Sequence, residues 1–202
     1  MDISRSEWLS NQKWEKDFWG DFPALDHHEV VKQDVYARLM GIQMPHDAQG
    51  KSIVDFGCGP VGMLLRTTNF SKAVGVEPLH FSDEVLDRYR QHNVKISQVP
   101  MEDFVSREVF DEAWMYNLIE HVINPVECLN VFKDSAKTLR LFEWIDLPPR
   151  KGHPHTITER MVVDTLGLQR GEWTVLNLAE SGCYGRAIVV VKDAVKDDNG
   201  RL

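Results

Sequence analysis

Cysteine is scarce in this chain and scattered where it occurs: Cys58, Cys128 and Cys183 are the three thiols in 202 residues. An odd count with no C-x-x-C pair excludes a disulfide framework and a zinc knuckle, and reduced thiols fit a cytoplasmic setting. Basic runs are missing as well. The 23 Lys and Arg are outnumbered by 31 Asp and Glu, a formal net charge of −8, so nothing draws the chain generally to nucleic acid or anionic lipid. No apolar stretch has the ~20 residues of a membrane span. Met1-Asp-Ile-Ser-Arg-Ser-Glu-Trp8 lacks the basic and apolar regions of a signal peptide. Internal repeats are absent, and the one biased segment is a polar tail after Val195. The expectation is a soluble, cytoplasmic protein with a small-molecule partner, and neither nucleic acid nor membrane.

What is present has ordinary globular proportions. Hydrophobic residues make up 43% and charged residues 27%, enough for one domain with a sizeable core. The chain divides into a helical N-terminal extension over 1–49, a main domain over 50–195 and the tail over 196–202. In the extension, Trp8, Leu9, Trp14, Phe18 and Trp19 recur with helical spacing until Gly20 and Pro23, and a second helix runs from His28 to Leu39. Beyond it, strands and helices alternate. Strands are expected at Ser52–Phe56, Ala73–Val76, Val94–Val99, Glu112–Tyr116 and Leu139–Ile145. Helices are expected at Val61–Asn69, Ser82–His92, Pro125–Thr138 and Thr158–Leu166. Glu172–Leu178 and Arg186–Lys192 are joined too tightly for a crossover helix and should pair antiparallel. The expected fold is α/β: a doubly wound, mostly parallel seven-stranded sheet with an antiparallel terminal hairpin.

The most informative stretch is Ser52-Ile-Val-Asp-Phe-Gly-Cys-Gly-Pro-Val-Gly62, an apolar strand that turns on closely spaced glycines. Such a loop lets backbone N–H groups approach a ligand. Gly57, Gly59 and Gly62 fit G-x-G-x-x-G, and with Glu77 closing the next strand a nicotinamide cofactor is one reading. Asp55 argues otherwise. A carboxylate before the first glycine repels a pyrophosphate but attracts a ligand with positive charge, such as the ammonium and sulfonium of S-adenosyl-L-methionine.

With these residues in place the pattern resembles class I S-adenosylmethionine-dependent methyltransferases, nearest to the small-molecule type 11 group, over Lys51 to Val191. Asp55-Phe-Gly-Cys-Gly59 is similar to the first motif, D-x-G-x-G, and Glu77 to the acid that accepts hydrogen bonds from the ribose hydroxyls. Val99-Pro-Met-Glu-Asp-Phe104 is similar to the acidic segment after the third strand, but Pro100 stands where the adenine-reading acid is expected. The resemblance therefore assigns the adenine to the backbone around Met101 and to Glu102. Asn117-Leu-Ile-Glu-His-Val122 resembles the x-x-[DE]-H-V signature, with Asn117 facing the sulfonium region. The Asn-Pro-Pro-Tyr arrangement of adenine methylation is lacking.

The resemblance implies an S-adenosyl-L-methionine-dependent methyltransferase, a Rossmann-like fold and transfer to a small acceptor, expected at oxygen. The candidate cofactor residues are Asp55, Gly57, Gly59, Glu77, Met101, Glu102 and Asn117. His121, His153 and His155 are the candidate catalytic residues, because imidazole titrates near neutrality and can take a hydroxyl proton. Loop tethering for His121, and helix capping or loop packing for the 146–158 segment, are the alternative readings. The spacing also permits a metal pair with Asp146, but two histidines and a carboxylate on a Pro-rich loop do not define one, and no metal is expected. A protein that binds the cofactor without catalysis is the further alternative, kept open by Pro100.

Overall fold

The computed structural model describes residues 2–19, 27–179 and 185–193. The turn at Gly20–Pro23, Cys183 and the polar tail lie outside the described residues. Seven strands form one sheet: β1 (Ser52–Phe56), β2 (Lys72–Val76), β3 (Val94–Ser97), β4 (Phe110–Tyr116), β5 (Ala136–Trp144), β6 (Trp173–Asn177) and β7 (Arg186–Lys192). Their order across the sheet is β3-β2-β1-β4-β5-β7-β6. All neighbours run parallel except β7, which is antiparallel to both β5 and β6. The chain enters at the centre, winds out to β3 and returns to β4 on the other side of β1. The carboxyl ends of β1 and β4 are therefore the switch point, where open α/β sheets hold ligands.

Both faces of the sheet are buried, which explains the near-continuous apolar runs in its central strands. Val54, Met115 and Leu141 point into a core with Leu129 and Phe132 of α4 (Pro125–Ser135) and Val162 of α5 (Glu159–Leu166). Ile53, Trp114 and Phe142 face the other side, with Tyr36 and Met40 at α2 (His27–Leu39) and Val85 and Tyr89 of α3 (Asp83–Gln91). The first helix, α1 (Arg5–Trp19), lies at the switch-point end, where Ile3 N–H bonds the Ile123 carbonyl and Arg5 pairs with Asp103 at 3.0 Å. No helix among the described residues is long and apolar enough to cross a membrane.

Two expected helices differ from the structure. Val61–Asn69 contains only a 3-10 turn, Met63–Arg66, after which Thr67–Thr68 pairs in parallel with His46–Asp47. Residues 61 to 65 are all buried, so the segment has no polar face to present as a surface helix. β-branched Thr67 and Thr68 then suit the extended backbone. The helix expected over Pro125–Thr138 stops at Ser135, whose hydroxyl donates to the Phe132 carbonyl at 2.8 Å, and β5 begins at the next residue.

Three helices begin at side-chain caps. Ser82, Asn124 and Thr158 each accept a backbone N–H at the start of α3, α4 and α5, and Gly167 closes α5 in the left-handed region. Thr158→Ala removes the bond from Met161 N–H and is expected to cost about 1 kcal/mol. That corresponds to a Tm lower by about 3 °C. An unchanged thermal transition would show that the cap does not hold α5.

Candidate functional site

The glycine loop leaves β1 in a backbone that side chains resist. Gly57 has φ +68°, and a Cβ there would lie 2.7 Å from Leu118 Cδ1. Gly59 has φ +61°, and a Cβ there would meet nothing within 4 Å, so its outer face is open for a ligand. Two side chains brace the loop from beneath. Glu77 accepts Gly59 N–H at 3.0 Å and Leu79 N–H at 3.1 Å. The Tyr89 hydroxyl accepts Gly62 N–H at 2.9 Å and donates to the Gly59 carbonyl at 2.7 Å.

Asp55 is fully buried behind the loop, where Oδ2 accepts the Tyr116 hydroxyl at 3.1 Å. Its Oδ1 has no hydrogen-bond partner. Burial pushes this carboxyl well above the usual range; the Tyr116 hydrogen bond opposes the shift and the Glu77 charge adds to it. Burial likewise raises Glu77 to about 7, against the pull of the Leu79 and Gly59 N–H groups.

The turn after β4 is held by an acid from β5. Glu143 Oε2 accepts Leu118 N–H at 2.9 Å and Ile119 N–H at 2.6 Å, while Oε1 accepts Trp144 N–H at 2.9 Å. Burial, with the Glu120 charge second, raises Glu143 to about 8. The turn places Asn117, in the left-handed region at φ +52°, beside the glycine loop, and sends Glu120 and His121 toward α1. Glu102 closes the next turn by accepting Ile123 N–H at 2.7 Å and Asn124 N–H at 3.1 Å.

Opposite the glycine loop two histidines meet two carboxylates. His153 Nδ1 is 2.8 Å from Glu120 Oε1, and His121 Nδ1 is 3.1 Å from Glu15 Oε1 on α1. His121 Nδ1 also donates to the Gly152 carbonyl at 2.9 Å. Burial lowers the His121 value, but the Glu15 carboxylate, followed by Glu120 and Glu143, outweighs it and the net shift is upward. For Glu120 burial acts upward, yet His153, His121 and Arg150 together hold the carboxyl below its ordinary value. A close approach of α1 makes this possible: a Cβ on Gly152 would lie 2.5 Å from the Trp14 ring.

One cavity joins the two halves. Of the residues singled out from sequence, Gly57, Gly59, Glu77, Met101, Glu102, Asn117, His121 and His153 line it. Asp55 supports the loop from behind. His155 stands apart, buried, with Nε2 donating to the Val122 carbonyl at 2.8 Å. Asp146 pairs with Arg186, so His153, His155 and Asp146 are not assembled as a group. Trp8, Trp14, Glu15, Lys32 and Tyr36 of the N-terminal extension complete the wall.

Sequence reading missed Glu15, Tyr89, Tyr116 and Glu143. Glu143 carried a signal, an acid in a strand end otherwise apolar from Leu141 to Ile145. Tyr89 carried only its place on the apolar face of a helix, four residues from Val85.

Glu143→Ala would strand three N–H groups and is expected to destabilise the protein by about 3 kcal/mol, while Glu143→Gln, which still accepts, should lose less than half of that. The folded value of about 8 exceeds the ordinary value of 4.5, so the native state binds the extra proton and wild-type stability falls as pH rises through that window. The Gln variant should lose this slope in denaturant titrations from pH 5 to 8. Equal losses in both variants would show that charge, and not the acceptor atoms, holds the turn.

No protein-family model matches the chain, and no curated protein matches it. Solved structures do. The DhpI–SAH complex has a TM-score of 0.61 at 10% identity, with 95% of this chain and 99% of that one covered. The N-methyltransferase NodS from Bradyrhizobium japonicum, solved with S-adenosyl-L-homocysteine, has a TM-score of 0.56 at 10% identity, covering 92% and 93%. The [4+2]-cyclase SpnF has a TM-score of 0.58 at 14% identity, covering 82% and 81%. At such identities likeness speaks for architecture and not for activity. With its strand order, reversed β7 and switch-point glycine loop, the chain has the Rossmann-like fold of the class I S-adenosylmethionine-dependent methyltransferases.

Proposed function

We propose that this protein is an S-adenosyl-L-methionine-dependent methyltransferase that acts on a hydroxyl of a small molecule in the cytoplasm. The observation that carries the reading is the single cavity with an acid-braced glycine loop on one wall and carboxylate-paired imidazoles on the other. The residues present suit the cofactor. Asp55 Oδ1 is a buried acceptor without a donor, Gly59 opens onto free space, and Glu77 keeps lone pairs beyond the two it has committed. Glu77 would hold the ribose hydroxyls, Asp55 would act on the amino group from behind the glycine loop, and Met101, Glu102 and Asn117 would form the remaining wall. When bound, S-adenosyl-L-methionine supplies a methyl group already activated on a sulfonium.

The chain's own residues then align the acceptor, exclude water and take a proton. His153 is the proposed base: Glu120 at its Nδ1 orients the ring and stabilises the imidazolium that forms. His121, tied to Gly152 and Glu15, positions the turn and adds positive charge. The described helices of segment 1–49, α1 and α2, serve as the acceptor-side cover. The net charge of −8 supports a small-molecule partner over nucleic acid. Pro100, standing where the resemblance expects an adenine-reading acid, favours a second reading, cofactor binding without methyl transfer.

Calorimetry with S-adenosyl-L-homocysteine tests the cofactor site. Ribose hydroxyls donating to Glu77 favour its charged form, so its value should fall from about 7 and binding at pH 7 should release about half a proton to buffer. Asp55→Ala and Glu77→Ala should each weaken binding at least tenfold, and Glu77→Gln should abolish the proton release. Binding of NAD in place of S-adenosyl-L-homocysteine would refute the proposal. If S-adenosyl-L-homocysteine binds and an acceptor panel gives no turnover, the second reading holds.

A further inference from the structure

The corner of the cavity where α1 meets the turn after β4 and the loop before α5 has the makings of a metal centre. One donor atom from each of Glu15, His121 and His153 lies within 4.8 Å of the other two. Ligands around a tetrahedral zinc stand about 3.4 Å apart, so small side-chain shifts would close the set. Three distant segments of sequence supply these donors, and the two imidazole rings lie with centroids 4.3 Å apart.

The contacts within the corner are close ion pairs of buried atoms. Glu15 Oε1, His153 Nδ1 and Glu120 Oε1 are buried, and each faces an opposite partner at 2.8 to 3.1 Å in an ion pair that falls short of good hydrogen-bond alignment. The Glu120 side chain is only 3% exposed. Two imidazole nitrogens and a carboxylate oxygen this close together can turn onto one shared ion. With His121 Nδ1–H on the Gly152 carbonyl, Nε2 is the nitrogen left to ligate, the backbone pairing that metal-bound imidazoles commonly have.

We infer that Glu15, His121 and His153 form a binding site for a divalent first-row transition ion, with the Glu120 carboxylate beside it. Two imidazoles and a carboxylate match zinc and its neighbours and disfavour magnesium, which prefers oxygen ligands. Binding of the ion is a property of the donor set. Only its use rests on the proposed methyl transfer: an acceptor hydroxyl at the open coordination position would bind through oxygen and lose its proton to Glu120, with the imidazoles serving as ligands in that state.

The test is calorimetric titration of the full chain, stripped with a chelator, with zinc alone and with magnesium alone. One zinc per chain is expected, and no comparable magnesium binding. His121→Asn, His153→Asn and Glu15→Gln should each weaken zinc at least tenfold, with near-ultraviolet circular dichroism reporting the fold, and His92→Ala on the surface should leave it unchanged. Cobalt provides a second readout: its visible absorption should intensify on binding wild type and not these variants. No zinc binding, equal magnesium binding, or folded site variants that bind like wild type would overturn the inference. S-adenosyl-L-homocysteine titrated into the stripped protein separates the two ideas, since cofactor binding without zinc binding would leave the proposed function standing and remove only the metal centre.

Discussion

The carboxylate of Glu143 is the constraint on which the rest of the site depends. It arrives from β5, beneath the turn that follows β4, and gathers the N–H groups of Leu118, Ile119 and Trp144. Without an acceptor there, the turn would carry unpaired donors in a buried place, at about 1–3 kcal/mol each. With it, the backbone can reverse sharply at Asn117 and direct Glu120 and His121 outward. The same turn places Leu118 against Gly57, which explains why that position of the glycine loop admits no side chain.

Acidic groups are concentrated at this one end of the sheet. Asp55, Glu77, Glu120 and Glu143 are all buried, and burial raises three of them above their ordinary values. Glu120 is the exception because two imidazoles and Arg150 surround it. Such a grouping costs the fold stability as pH rises, since groups that have left water and lie near one another must give up the protons that burial makes them keep. It also creates a cavity tuned to bind hydrogen-bond donors and cations, which fits both the cofactor and the ion proposed for it.

The sheet itself was legible in the sequence because its signal is local. Short apolar runs ending in Gly57, Glu77 and Asn117 marked the strands and their carboxyl ends, and the joint after Leu178 was too short for anything but an antiparallel return. The glycine loop, Glu77, Met101, Glu102, Asn117, His121 and His153 could all be named, and the fold brings them to one cavity. The expected helix fails where burial overrides periodicity: residues 61 to 65 are apolar enough for a helix, but every one of them is buried, Met63, Leu64 and Leu65 in the core shared by the sheet and α2. His153 and His155 could not be separated by sequence, for a two-residue step in an irregular loop has no fixed direction. In the structure one lines the cavity and the other bonds the Val122 carbonyl.

The sequence by itself determined the α/β winding, the reversed final strand and the acid-glycine-glycine loop, since each depends on neighbours within a few residues. Only the tertiary structure decided which acids act together. Glu15, Glu120, His121, Gly152 and His153 come from a helix, a turn and a loop that span more than a hundred residues of sequence, and their contact arises because α1 packs Trp14 against Gly152. No local pattern records such a meeting. It follows from packing helices and loops over one end of the sheet, which is a property of the whole chain.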